Sequence, residues 1–121
     1  MNLNLNVRSV DGVSVVDLSG RLVLGEESNA LRLALKDLLE KNEKKILFNL
    51  ADVRYIDSSG LGTLVSGLAS ANNANAQLKL LNLDPRVHDV IRTTHLHLVF
   101  AVFDDEATAI RSFASQASAA G

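Results

Sequence analysis

Apolar and polar residues alternate from Leu3 to Val7, and after Asp11-Gly12 the apolar run resumes as Val13-Ser14-Val15-Val16-Asp17-Leu18 before Ser19-Gly20. Period two is the mark of a half-buried strand, and Asp-Gly between two such runs is a strong short-range hairpin signal. From Gly25 the period changes. Leu31, Leu35, Leu38 and Leu39, with Ala34 between, recur at three-and-four spacing, while Arg32, Lys36, Asp37 and Glu40 fall on the opposite side. That spacing predicts an amphipathic helix. Glu26 and Glu27 stand at its start and Lys41, Lys44 and Lys45 at or just past its end, the charge order a helix dipole favours. Residues 46–50 form a short apolar run without clean alternation, as expected of a strand covered on both faces. A helix over 58–73 follows, with Leu61, Leu64, Val65 and Leu68 on one stripe and Ser59, Thr63, Ser66 and Ser70 off it. Residues 77–81 read as a strand, 85–93 as a short helix opened by Pro85, 98–103 as a strand and 104–113 as a last helix.

A hairpin followed by alternating helices and strands implies parallel neighbours joined by right-handed crossovers. The expected fold class is therefore α/β: a single domain whose mixed β-sheet combines the N-terminal hairpin with parallel strands, carrying about four helices. The domain is expected over residues 1–113, with 114–121 as a small, polar, flexible tail. A length of 121 residues suits one domain, and at that size folding buries roughly 65% of the unfolded surface.

Composition narrows the function. Lys plus Arg number 12 against 14 Asp plus Glu, a net charge of -2. No basic excess is available to neutralise a nucleic-acid backbone or an anionic membrane, so neither direct nucleic-acid binding nor membrane insertion is expected. With 47% hydrophobic and 21% charged residues the chain reads as an ordinary folded domain rather than a disordered one. It has no Cys, which excludes disulfides, thiolate metal ligands and a cysteine nucleophile. The N-terminus lacks a basic region followed by a continuous apolar stretch, and the longest apolar runs are far short of the ~20 residues that span a bilayer. A cytoplasmic location is expected. Aromatic residues at 4%, with no Trp, offer little for stacking against bases or sugars.

The candidate chemistry sits in Tyr55-Ile56-Asp57-Ser58-Ser59-Gly60-Leu61-Gly62, where a strand gives way to a helix. With Asp57 as N-cap, its carboxylate accepts from the N–H of Ser59 or Gly60, and Ser58 becomes the first helical residue with its hydroxyl outward. Two glycines in a first helical turn cost roughly 1 kcal/mol each relative to Ala, which suggests a close approach by another backbone or by a partner. Taken alone, the spacing favours a simple capped strand-helix turn. Other candidates are weaker. His95-x-His97, with His88 nearby, lacks the Cys or carboxylate companions of a metal site. Gly60-x-Gly62 followed by Gly67 misses the dinucleotide-binding spacing, and no phosphate-loop Gly-Lys-Ser/Thr occurs. Ser58 lacks the glycine two residues before it that a nucleophile elbow needs. Catalysis and cofactors are not expected.

The segment Phe48-Asn49-Leu50-Ala51-Asp52-Val53-Arg54-Tyr55-Ile56-Asp57-Ser58-Ser59-Gly60-Leu61-Gly62 resembles the signature of STAS domains, the fold of bacterial anti-sigma factor antagonists. Leu18-Ser19-Gly20-Arg21-Leu22, Leu78-Lys79-Leu80-Leu81-Asn82-Leu83 with Pro85-Arg86-Val87, and residues 99–107 extend the resemblance along nearly the whole chain. It implies that Ser58, the first serine of Asp-Ser-Ser-Gly, is phosphorylated by a partner that is both anti-sigma factor and serine kinase, and that a phosphatase reverses this. Ser59, nearer the backbone, is the weaker candidate for modification. The implied partner surface is Asp57, Ser58, Ser59, Gly60, Leu61 and Gly62. A constitutive STAS adaptor or scaffold, in a lipid-transport ATPase or signalling complex, is the alternative the resemblance leaves open. The chain departs from the family pattern at Val23, where many members carry an acidic residue, at Asn72-Asn73-Ala74-Asn75-Ala76, where many have glycines, and at Thr94-His95-Leu96, where Thr-Gly-Leu is familiar.

Overall fold

The computed structural model describes residues 3–23 and 25–120. The Asp11-Gly12 pair turns the chain with positive φ at both residues, 50° and 82°, the conformation that matches the twist of a two-residue hairpin. It joins β1 (Leu3–Val10) to β2 (Val13–Leu22) with Val10 opposite Val13. There follow α1 (Glu26–Glu40), β3 (Lys45–Ile56), α2 (Ser58–Asn73), β4 (Gln77–Leu81), α3 (Pro85–Thr93), a 3-10 turn at Leu96–Leu98, β5 (Val102–Phe103) and α4 (Glu106–Ala120). The sheet runs β1-β2-β3-β4-β5; only the first pair is antiparallel. The single α/β domain, the mixed sheet and the four helices are those the sequence pattern predicts.

Helices α1, α2 and α3 pack on one face of the sheet and α4 on the other. Strand β3 feeds both layers, Ile46, Phe48 and Leu50 into the first and Leu47 into the second. Burial on both faces is why its run of apolar residues does not alternate.

Four sequence expectations are corrected. Strand β3 continues past Leu50 to Ile56, paired there only with β2 through two register shifts, which convert a two-residue period into the wider spacing of buried Val53 and Ile56. The expected strand over 98–103 shrinks to Val102–Phe103. His95 adopts a left-handed conformation that ends α3 and starts the 3-10 turn, leaving Leu98 and Val99 74% and 58% exposed. The last helix starts at Glu106, where Asp105 accepts from the Thr108 N–H at 2.9 Å, and runs past Phe113 to Ala120 on an Ala-rich sequence favourable to helix. On α2 the buried stripe is not Leu61, Leu64, Val65 and Leu68 but Gly60, Thr63, Leu64, Gly67 and Ala71; Val65 is exposed, and Leu61 and Leu68 are only partly covered. Small residues let α2 lie close to its neighbours: a Cβ on Gly67 would come within 3.0 Å of Leu35 Cδ2.

Two charged groups meet the α4 layer, with opposite effects. Arg8 donates to Asp17 (2.6 and 3.1 Å) and to Glu106 (2.6 and 3.0 Å), tying the start of α4 to the hairpin, and Asn49 also donates to Asp17 at 2.8 Å. Lys79, only 5% exposed, lies under α4 with no ion pair among the described residues. Its Nζ donates to Ser112 Oγ at 2.8 Å and sits 4.5 Å from the centre of the Phe113 ring.

Hydrogen bonding to Arg8 lowers the Asp17 and Glu106 pKa values below 3.8 and 4.5. A depressed carboxyl pKa adds stability above the unfolded value and loses it as pH falls through the folded one. Arg8→Met should therefore cost about 1 kcal/mol of folding stability at pH 7 given the partial exposure of the pair, seen as a lower melting temperature, and the gap to wild type should close below about pH 4. Burial lowers the Lys79 pKa, so its charged form opposes folding. Lys79→Met should raise the melting temperature at neutral pH, with the gain shrinking in alkaline buffer as the wild-type lysine loses its proton.

Candidate functional site

The parallel register pairs Arg21 with Tyr55 and Leu22 with Ile56, so β2 and β3 end side by side and α2 starts directly beyond them. The Asp57 N–H donates to the Leu22 carbonyl at 3.2 Å, and Asp57, in extended conformation, caps α2 by accepting from the Gly60 N–H at 2.8 Å. The Leu61 N–H then closes the first turn onto the Asp57 carbonyl at 2.9 Å.

This cap decides which serine faces out. Ser58 is the first helical residue and is exposed; its hydroxyl and N–H make no hydrogen bond among the described residues. Ser59 is half-buried and its carbonyl accepts from Thr63 Oγ1 at 3.0 Å. The two glycines have different causes. A Cβ on Gly60 would stand 2.2 Å from the Leu22 carbonyl oxygen and 2.9 Å from Ile56 Cγ1, so the close approach inferred from sequence is made there by the chain's own backbone. Gly60 is buried and shapes the site from beneath rather than lining it. A Cβ on Gly62 would meet nothing within 4 Å. Among the described residues nothing requires a glycine at that exposed position. Leu61, between them, is half-buried against the core.

Beside the candidate segment the structure places two residues from outside it: Arg21 stacks over the ring of half-exposed Tyr55 at 5.1 Å, and Val65, one turn beyond Leu61, is exposed. Only the register of β2 against β3 brings Arg21 beside Tyr55. The histidines stay apart from this surface: the rings of His95 and His97 are 6.1 Å apart, and among the described residues no group of three or more His, Cys, Asp or Glu side chains is placed to hold a metal. No described helix is long and apolar enough to cross a membrane.

A five-stranded mixed sheet with three helices on one face and one on the other is the α/β fold of STAS domains. The STAS domain family matches residues 4–109, and the chain belongs to it. The chain is 25% identical over 111 residues to the anti-sigma F factor antagonist of Paenibacillus polymyxa, covering 91% of this chain and 94% of that one. It is 29% identical over 96 residues to the anti-sigma-B factor antagonist of Staphylococcus aureus, covering 79% and 88%. In fold it is similar to the Bacillus cell fate determinant SpoIIAA in its phosphorylated form, with a TM-score of 0.71 at 20% identity over 91% of this chain and 99% of that one.

The two glycines separate in a stability measurement. Gly60→Ala should lower folding stability by about 2–3 kcal/mol, because the new methyl meets backbone rather than a mobile side chain. Gly62→Ala should raise it by roughly 0.5–1 kcal/mol, the helix propensity gain at an open position. Denaturant titration of both variants reads the pair directly.

Proposed function

We propose that this STAS domain is a cytoplasmic anti-sigma factor antagonist whose surface around Ser58 binds an anti-sigma factor with serine-kinase activity. Binding releases a sigma factor, phosphorylation of Ser58 ends the complex, and a phosphatase restores it. The observation that carries this reading is the division of labour in the first turn of α2: Asp57 does the capping, which leaves Ser58 exposed with an unengaged hydroxyl. A serine used as the cap would be turned inward and unavailable to a kinase. Two kinds of relative support the same reading: those named anti-sigma factor antagonists, and SpoIIAA, whose fold is known in a phosphorylated form.

Phosphorylation adds about -1.5 to -2 charges and three acceptor oxygens. On Ser58 the phosphate would stand at a helix N-terminus, near N–H groups of the first turn and a dipole that together favour an anion by ~0.3–1 kcal/mol. The adjacent Asp57 carboxylate opposes it, so folding stability changes little. An interface packed against a neutral hydroxyl responds differently. A desolvated charge placed there costs several kcal/mol, and each ~1.4 kcal/mol is tenfold in affinity. Gly62 fits the same picture, since a glycine without an internal reason lets a partner approach the helix backbone.

Ser58→Ala should keep partner binding and resist phosphorylation, whereas Ser58→Asp should weaken binding at least tenfold with little shift in melting temperature. Capture from the host with wild type and Ser58→Asp in parallel, followed by mass spectrometry, names the partner. Equal capture of transporter or scaffold components by both would instead assign the chain as a constitutive STAS adaptor.

A further inference from the structure

Strand β1 is one edge of the sheet, and the hairpin fixes which of its backbone groups face outward. A two-residue turn makes Val10 and Val13 a pair that exchanges both N–H···O bonds, and such pairs alternate along an antiparallel ladder. Arg8, Asn6 and Asn4 therefore bond to β2, while Leu3, Leu5, Val7 and Ser9 direct their N–H and C=O groups away from it. No other strand lies on that side, and no backbone hydrogen bond from another described segment reaches these residues. The opposite edge of the sheet is only the two residues of β5.

Long sheet edges are ordinarily blunted by lysine, proline, a bulge or an inward-pointing charge. Residues 3–7 carry none of these, and the register against β2 runs from Leu3–Gly20 to Val10–Val13 without a shift. Their apolar side chains share one face. Leu3 and Leu5 lean on the core beneath the helices, Val7 follows them in phase and is 49% exposed, and Asn4 and Asn6 are exposed on the other face.

The segment Leu3-Asn4-Leu5-Asn6-Val7 has the same apolar-polar order read in either direction. Set antiparallel against a second copy about a twofold axis at Leu5, it places Leu5 opposite Leu5, Leu3 opposite Val7 and Asn4 opposite Asn6. Each outward N–H and C=O of residues 3–7 then meets its counterpart, because residues of the same phase face one another. Arg8, already held by Asp17 and Glu106, stays outside the paired segment. With the axis at Leu5 the two Arg8 residues are offset by six positions, about 20 Å along the strands, whereas an axis at Val7 cuts this to about 7 Å and sets Arg8 against Asn6. An axis at Asn6 sets Leu3 against Ser9.

We propose that the chain self-associates through β1 into a twofold dimer, the two sheets joining edge to edge in the register centred on Leu5. A second copy is selected over an unrelated strand because phase, polarity and length match the segment to itself. Such pairing closes on itself, and the short β5 edge offers no comparable site for further growth. Ser58 lies at the end of β3, two strands from this edge, and the dimer does not rest on the function proposed there.

Sedimentation equilibrium of the full chain from about 10 µM to about 1 mM should show the mass rising from that of one chain towards that of two. Val7→Pro removes an outward N–H at an exposed position, where an edge strand tolerates proline, and should weaken association at least tenfold. Val7→Lys keeps the N–H but sets a charge against Leu3 of the second copy, and should do the same; circular dichroism verifies that both fold. Ser9→Pro makes the first change outside the paired segment and should associate as wild type does. The chain has no Cys, so Asn4→Cys and Asn6→Cys report the register: mixed and mildly oxidised, they should cross-link at least fivefold faster than either alone. A single-chain mass at the highest concentration, or a dimer that survives in a folded Val7 variant, overturns the proposal. Cross-linking no faster in the mixture, or loss of the dimer in Ser9→Pro, overturns the register.

Discussion

The Leu22 carbonyl oxygen occupies the point where the sheet and the second helix meet. It accepts the Asp57 N–H at 3.2 Å and stands 2.2 Å from where a Cβ on Gly60 would begin. Both conditions hold only if β2 and β3 end in register and α2 enters directly over the end of β2. A side chain at Gly60 would push the helix off this oxygen, and the cap from Asp57 to Gly60 would move with it. The direction in which Ser58 points is thus set by a backbone contact one layer below the surface.

That arrangement separates stability from surface chemistry. The groups that hold the first turn, Asp57, Gly60 and the Leu22 carbonyl, are covered or half-covered, while Ser58 and Gly62 contribute nothing to the packing beneath them. Charge can be added at Ser58 without disturbing buried contacts, so its effect falls on whatever packs against that surface rather than on the fold beneath it.

The same economy of side chains shapes the rest of α2. A helix whose buried face is Gly60, Thr63, Leu64, Gly67 and Ala71 packs close both to the end of β2 at Gly60 and to Leu35 of α1 at Gly67, and both approaches have one cause in the small side chains. On the opposite face one helix does the work of three. α4 covers only part of the sheet, and Arg8, reaching both Asp17 and Glu106, anchors its start where apolar contact runs out.

Local chemistry was legible in the sequence wherever a residue type has few alternatives. Asp11-Gly12 specifies its turn, the leucine spacing of α1 its buried face, and Asp57 followed by Ser-Ser-Gly both the start of α2 and the outward serine, because a carboxylate cap needs only neighbours three residues away. The unbroken apolar run of β3 likewise announced burial on both faces. What depended on distant partners was not legible. Leu98 and Val99 look like strand residues, yet β5 pairs with β4 only at Val102 and Phe103, and the left-handed His95 redirects the chain before them. Val65 belongs to a leucine-like stripe in one dimension and faces solvent in three, because the small residues beside it make the closer contact with the sheet. The different reasons for Gly60 and Gly62, and the meeting of Arg21 with Tyr55, rest on how β2 lies against β3 and α2. By itself the sequence determined most of the elements, their order and the exposure of Ser58 beside its Asp57 cap, since these follow from contacts within a few residues. Which glycine is a packing necessity and which apolar residues stay on the surface were decided only when elements far apart in the chain came into contact.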